Sequence, residues 1–214
     1  MIDLYSGTPG SGKSLYVARR IWWALRLGRP VVCNFDINLS MVDRKHPEKL
    51  FFKYVSNDLL TPDKLIAFSK MWFQGGRPRE DDILLIIDEC QLMFNAREWA
   101  KKGRDEWLSF FTQHRKFGYH IILVAQFDRM IDRQIRSLIE YEYIHRKVSN
   151  FGWKGIMLSL VMGGNTFVAV KVWYPMSEKV DSEFFHARKK FFAIYDTFGE
   201  FAKPEDSPHP ALEK

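Results

Sequence analysis

Cysteine is scarce in this chain: Cys33 and Cys90 are the only two among 214 residues. They have no metal-ligand spacing and make no disulfide framework. Both fall at the ends of apolar runs and read as small buried thiols, for which a reducing, cytosolic setting is the simplest fit. Long hydrophobic runs are missing too, and none approaches the ~20 residues of a membrane span. The N-terminus does not read as a secretory signal, because Asp3 interrupts it and a glycine-rich turn follows at once. There is no internal repeat and no acidic excess. Lysine and arginine number 32 against 26 acidic residues, for a formal net charge of +6. That balance permits an anionic partner, such as nucleic acid or lipid head groups, without demanding one.

What is present fits one soluble globular domain, with 46% hydrophobic and 27% charged residues. Aromatics reach 15%, including 18 Phe and 7 Trp, more than a core readily absorbs, so some are available to a partner surface. The most informative stretch is Gly7-Thr8-Pro9-Gly10-Ser11-Gly12-Lys13-Ser14, which fits G-x-x-x-x-G-K-[ST] at every fixed position. By average residue usage those positions coincide by chance in roughly one such chain in a hundred. An apolar run, Ile2 to Tyr5, leads in as a strand, and a helical pattern, Lys13 to Leu27, leads out to Gly28-Arg29-Pro30. The glycines let backbone N–H groups approach an anion at the positive end of a helix dipole. Lys13 is the expected charge on the β- and γ-phosphates. Ser14 is the expected hydroxyl ligand of Mg²⁺, and Leu15 continues the backbone cradle.

The second signal is Ile83-Leu84-Leu85-Ile86-Ile87-Asp88-Glu89, a buried strand ending in two carboxylates. An acidic pair there also serves as a helix N-cap. Beside a phosphate loop it reads as Walker B, with Asp88 on Mg²⁺ and Glu89 polarising the attacking water. Ile121–Ala125 is another buried strand, and Gln126 at its end is a candidate phosphate sensor, or a loop residue with no role. Phe127–Leu138 carries Arg129, Arg133 and Arg136 at helical spacing. One of these, or Arg115, is a candidate arginine finger on a neighbour's nucleotide, although most arginines on a helix face are simply solvated.

The remaining elements are read as follows. Val31–Phe35 and Phe51–Val55 are strands, with Asn34 and Asp36 either near the nucleotide or serving turn chemistry. Thr61 caps a helix that starts at Pro62 and runs to about Phe73. Asn95–Lys102 and Asp105–Phe117 are helices. Trp22 and Trp23 face different sides of the first helix. Glu140–Val148 is a strand, and Ile156–Val161 pairs with Phe167–Tyr174 in a hairpin turning at Met162-Gly163-Gly164-Asn165. Ser182–Phe198 is an amphipathic helix that packs back on the domain or meets a partner or membrane surface. Residues 203–214 form a polar tail with several prolines. The expected fold is thus an α/β P-loop NTPase over residues 1–200. It has a mostly parallel core sheet flanked by helices and a C-terminal antiparallel hairpin, and residues 201–214 are a linker.

With the phosphate loop at its start, Asp88-Glu89, the run His114-Arg115 before Ile121–Gln126, then Ile135-Arg136 and Tyr195-Asp196-Thr197, the chain resembles the zonular occludens toxin family. That family includes the gene I assembly proteins of filamentous bacteriophages. The resemblance implies an ATPase that drives phage assembly and export at the cytoplasmic face of the bacterial inner membrane. It carries ATP and Mg²⁺ onto Lys13, Ser14 and Asp88, the catalytic acid onto Glu89, a sensor onto Gln126 and a weaker role onto Arg115. The implied partners are further copies in a ring, phage coat proteins, single-stranded DNA, and the membrane through a segment this chain lacks. An excised domain and a short family member both fit that lack. Two other classes share the phosphate loop: a small-molecule kinase, and a nucleotide-gated interaction module with negligible turnover.

Overall fold

Along the central strands apolar residues predominate, interrupted by Asp3 and His120, which pair at 2.9 Å, and alternate side chains feed opposite faces of one sheet. Leu4, Ile83, Leu85, Ile87, Ile121 and Leu123 enter one core, while Tyr5, Leu84, Ile86, Ile122 and Val124 enter the other. Such doubly buried strands need helices on both sides. The structure, a computed structural model, describes residues 1–97, 103–161 and 164–194.

The strands are β1 (Ile2–Ser6), β2 (Val31–Cys33), β3 (Phe52–Tyr54), β4 (Ile83–Ile87), β5 (Tyr119–Val124), β6 (Tyr141–Lys147), β7 (Thr166–Trp173) and β8 (Glu178–His186). They form one eight-stranded sheet in the order β3-β2-β4-β5-β1-β6-β7-β8. Neighbours from β3 to β6 run parallel, and β7 and β8 are antiparallel additions. The helices are α1 (Lys13–Arg26), α2 (Pro62–Trp72), α3 (Arg104–Gln113), α4 (Arg133–Arg136), α5 (Gly152–Val161) and α6 (Lys189–Phe192). Leu15, Ala18, Ile21 and Leu25 of α1 pack on one face, and Phe110 and Phe111 of α3 pack on the other. Thr61 caps α2 by accepting from the Lys64 N–H. Cys33 and Cys90 are buried in opposite cores, and burial pushes both thiols up. Trp22 lies edge-on to Phe191 with the Lys190 ammonium over its ring, while Trp23 is exposed.

The parallel core and antiparallel edge are as expected; several local elements are not. Ile156–Val161 lies within helix α5, so the antiparallel pairs are β6 with β7 and β7 with β8. Ser182–His186 belongs to strand β8, and the one described helix after it is the single turn α6. Phe127–Leu138 is not one helix. A 3₁₀ turn at Asp128–Met130 precedes α4, whose first N–H groups bond to the Asp132 carboxylate. Asn95 bridges Ile131 in an extended pair and does not start a helix. The α-helix α3 stops at Gln113, and a 3₁₀ turn completes the span to Phe117. Residues 98–102, 162–163, 195–200 and the tail 201–214 lie outside the described residues, and Tyr195-Asp196-Thr197 with them.

Candidate functional site

Strand order brings the two motifs together. β5 lies between β1 and β4, and Leu4, Leu123 and Ile87 stand in register across the three strands. Two strand spacings separate β1 from β4, about 10 Å. All three run parallel, so Gly7, Gln126 and the pair Asp88-Glu89 leave the same edge of the sheet. That edge is where open α/β sheets bind ligands. The Gly7 N–H donates to the Gln126 carbonyl at 3.1 Å, tying the loop to the end of β5.

The loop is shaped for an anion. Gly12, with φ +95°, immediately precedes α1. A Cβ there would lie 2.7 Å from the Phe167 ring, so side chains are excluded by both conformation and space. The start of α1 has no side-chain cap and no acidic residue in its first turn, which leaves its N–H groups for a ligand. Thr8, Pro9 and Gly10 are exposed, Gly7, Gly12, Lys13 and Ser14 are partly exposed, and Ser11 is buried. The Ser11 hydroxyl has no hydrogen-bond partner among the described residues. Leu15 is a core side chain, so only its backbone N–H is available to the loop. The Lys13 ammonium donates to the Gly7 and Thr8 carbonyls at 2.5 and 3.3 Å. Burial lowers its pKa, and the charges of Glu89 and Asp88 pull it back up.

Opposite stands the acidic pair. Glu89 takes the left-handed conformation with φ +47°, rare for a residue with a side chain. Its N–H donates to the Asp88 carboxylate at 2.8 Å, and Gln91 Nε2 donates to the Glu89 carboxylate. Asn34, buried at the end of β2, holds this turn. Its Nδ2 donates to the Asp88 carbonyl and to Asn57 Oδ1, both at 2.8 Å, and its Oδ1 accepts from the Asp88 N–H at 2.7 Å. Of the two readings for Asn34, turn chemistry is the one observed, and the turn it holds belongs to the site. The only signal in the sequence was a polar residue directly after an apolar run. His145 gave no signal at all. It is buried behind the loop, with its backbone carbonyl against Gly7 and its Nδ1 3.2 Å from the Ser6 carbonyl.

Arg115 does not join this group. Arg115 precedes β5 at the opposite edge of the sheet, where it pairs with Glu80 at 3.1 Å and Glu140 at 3.0 Å. It cannot serve this chain's own phosphate loop from there. Arg129 and Arg133 fall on two separate turns, and Arg136 pairs with Asp128 at 3.5 Å.

His145 sets a pH limit on folding. Burial, the largest cause, lowers its pKa from 6.5 to about 4, so the folded chain holds it neutral where an unfolded chain protonates it. Its contribution is complete above pH 6.5 and is lost as pH falls toward 4, by roughly 3 kcal/mol at most. Denaturant titrations across that window should show a steeper loss for the wild type than for His145→Gln. Parallel curves would remove His145 as the cause.

A nucleotide-binding edge of this kind, on a parallel sheet with the phosphate-loop strand inside it, defines the P-loop NTPase fold. Residues 1–199 match the family described as Zonular occludens toxin (Zot), and the chain belongs to that family. Among curated relatives, the Gene 1 protein of Enterobacteria phage fd is 27% identical over 94% of this chain and 60% of its own length. The putative assembly protein ORF301 of Pseudomonas phage Pf3 is 28% identical over 65% of this chain and 40% of its own. The chain thus spans at most about 60% of these relatives. The N-terminal domain of zonular occludens toxin from Neisseria meningitidis superposes with a TM-score of 0.53 at 19% identity, covering 91% of this chain and 98% of that one. The genome packaging NTPase B204 of Sulfolobus turreted icosahedral virus 2, in complex with ATP-gammaS, gives 0.52 at 15% identity, over 86% and 95%. These last two likenesses bear on the fold.

Proposed function

We propose that this chain is an ATP-binding and ATP-hydrolysing motor domain that drives filamentous phage assembly and export at the bacterial inner membrane. One observation carries the reading. A strained acidic turn leaves the same edge of the sheet as a phosphate loop, two strands away. Strain in a residue with a side chain is kept where the surrounding structure holds it, most often at working sites. The likeness to the putative assembly protein ORF301 of Pseudomonas phage Pf3 and to the Gene 1 protein of Enterobacteria phage fd supports the cellular role.

In this reading the loop N–H groups and Lys13 bind the triphosphate and neutralise its charge. Glu89 takes a proton from the attacking water, and Gln126, anchored through its carbonyl to Gly7, orients that water. The donor set suits Mg²⁺: the Ser14 hydroxyl and Asp88 would hold it, and it would offset charge on the phosphates. No group of three His, Cys, Asp or Glu with metal-site spacing exists among the described residues. Arg115 would act only on a neighbouring copy. Ring subunits, coat protein and single-stranded DNA are the partners proposed.

Specific ATPase activity measured against protein concentration tests the reading. A steep rise is expected for sites completed between copies. Phosphate release that needs an acceptor molecule would make the chain a kinase and overturn the motor.

A further inference from the structure

Helix α5 is apolar and exposed. Trp153, Leu160 and Val161 keep 72%, 68% and 82% of their surface in solvent, and Phe151, Ile156, Met157 and Leu158 about half. Only Gly155 and Ser159, one turn apart, face the protein. Gly155 lies so close to the Val148 carbonyl and Phe151 that a Cβ would collide with both. The small residues seat the helix, and every large one points away.

We infer that α5 inserts into the surface of an anionic phospholipid bilayer. Three features favour lipid over a protein partner. At 100° per residue the exposed apolar positions cover an arc of roughly 200°. A helix that docks in a groove shows a stripe of about 100° and is polar elsewhere. Here Lys154 is the single charge on the helix. Second, no aspartate or glutamate occurs between Tyr143 and Ser177, while Arg146, Lys147 and Lys154 flank or lie on the helix. The Arg146 guanidinium sits 6.0 Å from the Phe151 ring, and the Lys154 ammonium 5.9 Å from Trp153. Cations beside aromatic rings at one end of an apolar helix suit the headgroup level of a bilayer. Third, ten residues rise about 15 Å, too short to span but fitting for a segment that lies in the interface. Among the described residues no helix is long and apolar enough to cross a membrane. α5 follows the carboxyl end of β6, the neighbour parallel to β1. The bilayer contact and the phosphate loop therefore lie toward the same edge of the sheet.

No residue of α5 belongs to the nucleotide site, so this inference and the ATPase reading fail separately. The test is sedimentation of the full chain with vesicles rich in phosphatidylglycerol and with vesicles of phosphatidylcholine alone. Wild type should bind the anionic vesicles more tightly. Ile156→Gln with Leu160→Gln should weaken that binding roughly tenfold or more, and Lys147→Gln with Lys154→Gln should remove the preference for anionic lipid. Both should melt as wild type does and keep its ATPase rate. Brominated acyl chains should quench Trp153 fluorescence in wild type, as judged against Trp153→Phe. If wild type ignores both vesicle types, or if the apolar substitutions leave binding unchanged, the inference falls. It also falls if those substitutions abolish self-association of the chain instead, since α5 would then be a contact between copies.

Discussion

Glu89→Gln should abolish turnover and spare nucleotide binding. Steady-state hydrolysis is expected to drop by roughly 10²- to 10⁴-fold, the range for removing a general base. That is about 3–5.5 kcal/mol of barrier. The substitution keeps the shape of the side chain. Its amide oxygen can still accept from Gln91, which donates to the carboxylate in the wild type. The turn itself is fixed from outside, by Asn34 and by the Asp88 carboxylate, so its geometry should survive. Affinity for a non-hydrolysable ATP analogue should stay within about twofold of wild type, well under the tenfold that 1.4 kcal/mol represents. If phosphate release continues at the wild-type rate, another group activates the water. If binding collapses as well, Glu89 is part of the structure that holds the nucleotide.

The second large effect is expected at Asn34, which anchors the acidic turn from the end of β2. Asn34→Leu conserves volume but strips three hydrogen bonds from a buried site. The Asp88 N–H and carbonyl and the Asn57 side chain would lose their partner. Asp88 and Asn57 are partly exposed, so each lost partner costs toward the low end of about 1–3 kcal/mol. Their sum is a large share of the 5–15 kcal/mol that keeps a domain folded. The denaturation midpoint should therefore fall sharply, by the equivalent of roughly 3–5 kcal/mol. Hydrolysis measured where the variant is still folded should fall too, because the acidic turn loses its anchor. A variant as stable as wild type would mean that Asn34 is spectator to the turn.

The site and the sheet centre were legible in the sequence for the same reason: their residue types have few alternatives. A glycine-rich loop ending in Lys13-Ser14 and a five-residue apolar run ending in Asp88-Glu89 together point to a P-loop sheet, with the two motifs at one edge of it. Elements at the periphery were less constrained. Ile156–Val161 is a short apolar run, and periodicity alone does not separate a strand from a helix in such runs. The spacing of Gly155 and Ser159, the two contacts that seat α5, carries more information than its large side chains. Phe184 and Phe191 stand at helical spacing, yet Phe184 is exposed on β8 while Phe191 is buried in α6. The regular interval was accidental. At Asp132 the cap of a short helix was present in the sequence and was overridden by the arginine spacing around it. Arg115 lies near β5 in sequence, but at the opposite end of that strand from Gln126, a distinction only strand direction makes.

The outer sheet edge formed by β8 has a consequence for how copies can meet. Glu178, Lys179 and Asp181 are exposed along it, and its pairing with β7 slips at Lys171 and Val172. Alternating charge and broken register are what keep one sheet from extending into the next. At the other end β3 offers only three residues. Copies of this chain are therefore poorly suited to join by backbone pairing. A closed assembly would have to be built from side-chain surfaces, which can loosen and re-form during a working cycle without tearing a continuous hydrogen-bonded ladder.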